Sequence, residues 1–570
     1  MRGFLAIILL VVVVFAGQPL FVEADVIDQQ VTFFVDPSYD LPKRNELAAT
    51  LRKVTPQMYF YVEDSWWNGL NSQQANALLV SLAQLGTTFE RDVYPLVTGF
   101  FGQENTPGVD RDSHITVLVH EMREDVRGYV RTADAYTRAE SQRSNEREMI
   151  YLAASRVTSS LASSYLAHEF THLVYLNQKE LLRGVEDDVW IQEGFAEISP
   201  LLAGGTEVSK EYLARRIRDF VTNPRDPVAE WRNSPVDYGV VAMFFEYVRE
   251  QYGMQLFKDM LSSQKKGIAA FNEALAKAGT QKRFVDVFQG WLYALFLNDC
   301  SYGQEFCFQE ETVRQLRVAP YTSFLPAFGT SELSFSSQTK EWAGNWYKIS
   351  GGTKGKLEIL FSGNPQAPFR VPYLLEKNTG AYERGTLEIN SVTQKGTLVV
   401  PQFGGDVSAI ILMPFIEGRS SGFGSFDPVY LFSWKIAITQ SSSQNPGTIE
   451  DLTLQIESLL RQVANLRSQL AALQSQQGAP VSCGLFQSNL FLGLSNSNDV
   501  RCLQQQLKDE GPAIYPEGLV TGTFGQLTLG AVIRFQEKYA AEILTPLGLT
   551  KGTGYVGSST RAKLNQLSAP

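Results

Sequence analysis

Histidine and cysteine are the scarce residues of this chain, with four of each among 570 residues. Four cysteines are too few for a disulfide-dense scaffold to stand in for a hydrophobic core. Neither close pair has the CxxC spacing of a zinc knuckle, which excludes a cysteine-ligated structural metal. Positive charge is short as well: Lys and Arg total 50 against 60 Asp and Glu, a net charge of −10. That balance excludes nucleic acid or an anionic membrane surface as the main partner. Long apolar runs are also missing. The longest, Phe4 to Ala16, has 13 residues, against about 20 needed to span a bilayer as a helix. What is present is a globular mixture, 44% hydrophobic and 19% charged, so a collagen-like, low-complexity or wholly disordered chain is excluded. At roughly 150 residues per domain, the length predicts about four units.

The apolar run follows Arg2 and leads to Val22-Glu23-Ala24, small residues at the positions a signal peptidase reads. We read residues 1–24 as a cleaved secretory signal, with an uncleaved N-terminal anchor helix as the alternative. Export permits disulfides. Four cysteines allow three pairings, and proximity favours Cys300 with Cys307 and Cys483 with Cys502.

Residues 25–310 mix strand-like and helix-like patterns. Met58 to Val62 and Ile115 to Val119 read as strands, and Ser72 to Leu85 and Tyr165 to Gln178 as helices. Over 330–440 the texture changes to short β-branched and aromatic runs broken by Gly, Pro, Asn and Ser. Trp346–Ile349, Lys356–Phe361, Thr397–Val400, Ala409–Met413 and Tyr430–Ile438 predict an antiparallel β-sandwich. After a polar linker, Ile449, Leu452, Ile456, Leu459, Val463, Leu466, Leu470 and Leu473 form an a/d heptad seam within 447–477. β-Branched residues at most a positions and Leu at d favour a parallel two-stranded coil, hence a homodimer. A lone spacer helix packed on a neighbouring domain is the alternative. Residues 480–570 form a last compact unit.

Two of the four histidines fall in His168-Glu169-Phe170-Thr171-His172. From composition, this HExxH pattern would arise by chance about twice in a thousand such chains. On a helix, residues i and i+4 share a face, so both imidazoles point at one ion with Glu169 beside it. No Pro or Gly interrupts Val157 to Leu182. A catalytic zinc needs a third protein ligand and an open position for water. Trp190-Ile191-Gln192-Glu193-Gly194-Phe195-Ala196-Glu197 follows after a short connection. A second helix returning antiparallel would carry Glu193 to the metal. It would also place Glu197 one turn on, where it can accept a hydrogen bond from a ligand histidine. Solvent-facing helix carboxylates are the plain alternative for both.

These residues resemble the gluzincin zinc metallopeptidases, the thermolysin-like group, and within it the hyicolysin-like secreted peptidases. The likeness covers about residues 100–260 and is strongest at HEFTH and WIQEGFAE. It implies His168, His172 and Glu193 as zinc ligands and Glu169 as general base for the attacking water. It also implies that the segment Ser144 to Leu152 supplies the edge strand along which a substrate backbone pairs. No GxMEN-type sequence stands upstream, so an endopeptidase is expected rather than an aminopeptidase. The developing oxyanion needs a donor. The remaining histidines, His114 and His120, both lie upstream, so a downstream histidine is ruled out. Tyr238, in Pro235-Val236-Asp237-Tyr238-Gly239, resembles the tyrosine of the aminopeptidase branch and is the expected donor; a core or cap tyrosine is the alternative. His120-Glu121 begins like a second motif, but the stretch continues a strand and reads as structural.

Near the C-terminus, Asp499 to Leu507, Thr521-Gly522-Thr523-Phe524-Gly525 and Ala531-Val532 with Phe535-Gln536 follow the order DVxxLQxxL, TGxFG, AVxxFQ. That order resembles the small three-helix peptidoglycan-binding domain of bacterial wall enzymes, over about residues 485–566. The reading is therefore a multidomain chain: an α+β thermolysin-like zinc peptidase domain (25–310), an all-β sandwich (330–440), a coiled-coil segment, and the three-helix domain (480–570). Its expected function is zinc-dependent cleavage of protein or peptide substrate by a secreted enzyme retained at the bacterial cell wall through peptidoglycan. A peptidoglycan peptide hydrolase and a non-catalytic adhesion or scaffold protein are the alternatives.

Overall fold

The computed structural model describes residues 24–203, 205–326, 331–439, 483–491, 494, 498–547 and 549–568. The secretory signal expected over 1–24, all but its last residue, and the heptad seam expected over 447–477 lie outside the described residues. The chain divides into two compact units. One comprises Met1–Arg215, Phe244–Val287 and Ser420–Gly422; the other comprises Arg216–Met243, Phe288–Arg419 and Phe423–Pro570. No helix among the described residues is long and apolar enough to cross a membrane.

The first unit is built on a six-stranded sheet of β1 (Gln30–Phe34), β2 (Glu46–Val54), β3 (Met58–Glu63), β4 (Ile115–His120), β5 (Gly128–Tyr129) and β6 (Met149–Ala153), ordered β1-β2-β3-β4-β6-β5. β3, β4 and β6 pair in parallel, with Met58 opposite Ile115 and Thr116 opposite Met149. Every residue of these three strands is buried. That is why they read as near-continuous apolar runs rather than as alternating ones.

The helices are α1 (Ser72–Thr88), α2 (Tyr94–Phe101), α3 (Ala162–Tyr175) and α4 (Val189–Ala203), then α5 (Gly205–Thr222), α6 (Pro235–Tyr252), α7 (Met254–Ser262), α8 (Gly267–Lys277) and α9 (Phe284–Leu297), of which α1 and α3 pack against the sheet. The divisions between the two units fall within α5, α6 and α9. α1 starts at a capping box in which Asn71 and Gln74 exchange side-chain and backbone hydrogen bonds. α3 runs into a π-helical turn, Leu176–Leu181. There the buried Lys179 ammonium donates to the carbonyls of Met260, Ser263 and Lys265 and lies 3.5 Å from Asp187. A buried cation is tolerable in this place because its donors are met by carbonyls and a carboxylate.

In the second unit, β7 (Tyr321–Leu325), β8 (Glu332–Thr339), β9 (Tyr347–Gly351), β10 (Gly355–Gly363), β11 (Phe369–Arg370), β12 (Pro372–Lys377), β13 (Tyr382–Thr386), β14 (Lys395–Phe403), β15 (Val407–Leu412), β16 (Phe415–Ile416) and β17 (Tyr430–Thr439) follow one another. Nine of them join in one sheet, β13-β12-β15-β14-β10-β17-β8, with β9 on β15 and β7 on β9; β11 and β16 pair separately. The five strands expected from sequence are all present. The strands make two ladders, β13-β12-β15-β9-β7 and β14-β10-β17-β8, which become one near-barrel sheet only through the pair Phe403–Val407. The tight turn at Gly404, with φ +74°, carries β14 into β15 without a break, and Phe403 pairs directly with Val407. Alternation does the rest. Leu357, Ile359 and Phe361 of β10 and Phe432, Trp434 and Ile436 of β17 point into one core with Ile349, Ile410 and Leu412.

The C-terminal residues form α10 (Asn498–Asp509), α11 (Gln526–Lys538) and α12 (Ser558–Ser568), around a core of Val500, Leu503, Phe524, Val532, Phe535 and Val556. A duplication underlies it. Gln504 and Gln536 stand 32 residues apart, as do Gly522 and Gly554, and Thr528 and Thr560. Each glutamine is buried and plays the same part. Gln504 donates to Thr528 Oγ1 and accepts from the backbone N–H groups of Thr521 and Gly522. Gln536 donates to Thr560 Oγ1 and accepts from those of Thr553 and Gly554. Both cysteine pairs form the expected disulfides, Cys300–Cys307 and Cys483–Cys502.

Candidate metal centre and active site

The helix predicted around HExxH is α3, and it packs against α4. Thr171 donates to Ser199 Oγ at 2.6 Å, tying the two helices together one turn from the histidines. Trp190 and Phe195 of α4 itself are buried. Gly194 is required there: a Cβ on it would lie 2.2 Å from the Phe245 ring.

This packing brings together the three residues expected as ligands. His168 Nε2 lies 3.3 Å from His172 Nε2, and Glu193 Oε2 lies 3.3 Å from the first and 3.7 Å from the second. The three ligand atoms all fall within 4.8 Å of one another, a group that could hold a metal ion. Glu193 Oε2 is buried, and no hydrogen-bond donor among the described residues meets it in good geometry. Two imidazole nitrogens and a carboxylate oxygen aimed at one point, with that oxygen unmet, fit a divalent cation and have no better use without one.

Around this centre the other carboxylates are held differently. Glu197, fully buried, places Oε1 3.4 Å from His168 Nδ1 and accepts a hydrogen bond from the buried Tyr212 hydroxyl at 3.0 Å. Glu169 is also buried, in the turn between the two histidines. Burial pushes its carboxyl up to about 8; the His168 charge opposes that, and Glu193 and Glu197 add to it. Burial works against a charged His168, yet the contacts with Glu193 and Glu197 raise it to about 10. His172, with burial dominant and His168 adding to it, falls to about 4.

Several expectations change. The segment Ser144 to Leu152 does not make the outer edge of the sheet. Ser144 and Asn145 are locked into turns by bonds to Asp134, Tyr136 and Phe34, and Glu146 has φ +54°. β6 therefore begins at Met149, with β4 on one side and β5 on the other. The outer element is β5, which runs antiparallel and sets Gly128 against the catalytic candidate. A Cβ on Gly128 would lie 2.9 Å from Glu169 Cγ and Oε1. Gly128, Tyr212 and the Thr171–Ser199 clasp carry no motif, and sequence reading passes over them. Their contacts are made between segments far apart in the chain.

His120 closes β4 fully buried, with Nδ1 3.4 Å from Asp40 and Nε2 beside the Tyr129 hydroxyl, so its part is structural. Tyr238 lies in the first turn of α6, within the other unit. Its hydroxyl donates to Asn233 Oδ1 at 3.0 Å, its ring meets Trp231 edge-on, and the Arg216 guanidinium lies 4.7 Å over it.

Three comparisons with known proteins bear on these residues. A family model described as a peptidoglycan binding domain matches residues 496–564. The neutral metalloprotease ShpI of Staphylococcus hyicus is 26% identical over 219 residues, which cover 34% of this chain and 48% of that protein. The chain thus spans about half the length of that curated relative. Among solved structures, a family GH115 4-O-methyl-alpha-glucuronidase matches over 58% of this chain and 52% of its own, at 10% identity and a TM-score of 0.13, which carries no structural argument. The first two support a metalloprotease-like relationship over a third of the chain and a peptidoglycan-binding domain over residues 496–564.

Proposed function

We propose that the protein is a secreted zinc endopeptidase of the gluzincin type, held at the bacterial cell wall by its C-terminal domain. The observation that carries this reading is the meeting of His168, His172 and Glu193 at one point with Glu169 buried between the histidines. Those three residues would hold zinc, which when bound supplies Lewis acidity and a water acidified toward neutral pH. A purely structural zinc has no use for a buried, non-ligating glutamate in this position.

Glu169 then takes the proton of the attacking water and returns it to the leaving amine. Glu197 orients His168 through Nδ1, and Tyr212 orients Glu197. β5 offers an extended substrate a backbone to pair with, and the absent Cβ of Gly128 lets that chain come close to Glu169.

The peptidoglycan-binding domain favours one second reading, in which the substrate is the peptide stem of the wall itself. Incubating the purified protein with casein and with purified sacculi separates the two. Casein fragments without released muropeptides support the first, and muropeptides without casein cleavage support the second.

A further inference from the structure

The repeat in the C-terminal domain separates residues that build the fold from residues that do not. Positions 504, 522 and 528 recur unchanged as 536, 554 and 560, and the buried Phe524 recurs as the buried Val556. Position 523 is different: the exposed Thr523 has Tyr555 as its counterpart, and Tyr555 is 45% exposed. A tyrosine is therefore not needed to make this turn.

Tyr555 is paired with a second exposed ring. Leu490 and Val556 form an antiparallel bridge and face inward, so the alternation of the two segments turns Phe491 and Tyr555 outward side by side. The rings are near-parallel, 18° apart, with centroids 6.1 Å from each other, and Phe491 is 46% exposed. The segment before Phe491 is polar. Arg561 donates to the Gln487 carbonyl, and Gln487, Ser488 and Asn489 are exposed on the same segment as Phe491. Single exposed apolar side chains are ordinary, but two near-parallel aromatic rings exposed side by side make a continuous flat apolar surface.

We infer that Phe491 and Tyr555 form a stacking platform for the glycan strand of peptidoglycan, an inference that rests on the peptidoglycan-binding reading of residues 496–564. An N-acetylated hexose ring presents one apolar C–H face, which suits a flat aromatic surface, and an acetamido group, which suits neighbouring amides. The stem peptides carry carboxylates and amines, for which an uncharged ring pair offers no counterpart. The glycan is thus the half of the polymer that this surface fits.

The test uses the full chain, wild type beside Phe491→Ala/Tyr555→Ala and Tyr555→Trp. Probes are intact purified sacculi, by co-sedimentation, and peptide-free glycan strands, by titration. The platform predicts binding of both probes by the wild type and about tenfold or greater weakening for the double alanine variant. It also predicts retention by Tyr555→Trp and an unchanged melting temperature in all three. Wild-type binding of sacculi without glycan strands would overturn the platform, as would a double variant that binds like the wild type. Failure of the wild type to bind sacculi at all would remove the peptidoglycan reading beneath it.

Discussion

Glu197 Oε1 stands 3.4 Å from His168 Nδ1, on the side of the ring away from Nε2, the nitrogen that meets Glu193. A carboxylate in that place fixes the tautomer that leaves Nε2 free to ligate, and strengthens the ring as a donor. Glu197→Ala is expected to weaken metal binding about 10- to 100-fold, read by competition with a chromogenic chelator. Tyr212→Phe, which removes a hydrogen bond one step further out, should lose less than Glu197→Ala. Equal metal affinity in Glu197→Ala and the wild type would contradict this role.

The glycine of the WIQEGFAE segment is a packing requirement. With the Phe245 ring 2.2 Å from a Cβ at position 194, Gly194→Ala must push α4 or the ring aside. A loss of about 1–3 kcal/mol of stability is expected, with incomplete metal loading, because Glu193 is the preceding residue. Thermal unfolding and metal analysis of the variant check both.

Glu148 gives the fold a pH dependence of defined sign. It is buried, with Asn105 donating to Oε1 at 3.2 Å and Gly108 packed against Oε2. Burial, followed by the nearby Asp110 charge, pushes its carboxyl from the ordinary 4.5 up to about 8. The folded state therefore holds this proton more tightly than the unfolded chain. The stabilisation is complete below about 4.5 and is lost as pH rises through 8. Glu148→Gln keeps the acceptor for Asn105 and removes the titration. The variant should be more stable than the wild type at pH 9, by about 1–3 kcal/mol, and closely similar at pH 4.5. Melting temperatures across that range measure it, and parallel curves would contradict it.

The paired glutamines predict two equivalent losses. Gln504→Leu strands the N–H groups of Thr521 and Gly522, and Gln536→Leu those of Thr553 and Gly554. Each should destabilise the C-terminal domain by about 2–3 kcal/mol, seen as a shift of one calorimetric transition of the full chain. Very unequal losses would mean that the duplication in sequence is not one in energetics.

Much of this organisation is legible in the sequence because its signals are local. The HExxH spacing, the WIQEGFAE segment, the strand runs at Met58 and Ile115 and the five β-runs after 340 each depend on neighbours along the chain. The cysteine pairs do too, since the short loops between them leave few competing partners. What sequence reading misses is set by contacts between distant segments. Strand order is one case: β5, two residues long, carries no periodicity, so the edge beside Glu169 was assigned to the longer run ending in Leu152. Tyr212 looks like any helical tyrosine until Glu197 is placed against it. The single pair Phe403–Val407 that links the two ladders of the β-domain across the Gly404 turn is likewise invisible in a pattern of alternating strands.

The most direct test of the central claim is metal content and casein cleavage of the wild type beside Glu169→Gln, both purified without chelator. Glu169 is no ligand in this account, so both proteins should carry one zinc per chain, while cleavage falls by about 10²–10⁴-fold in the variant. Zinc lost together with activity would make Glu169 part of the metal cage. A wild type without zinc, or a variant that cuts as well as the wild type, would contradict the account.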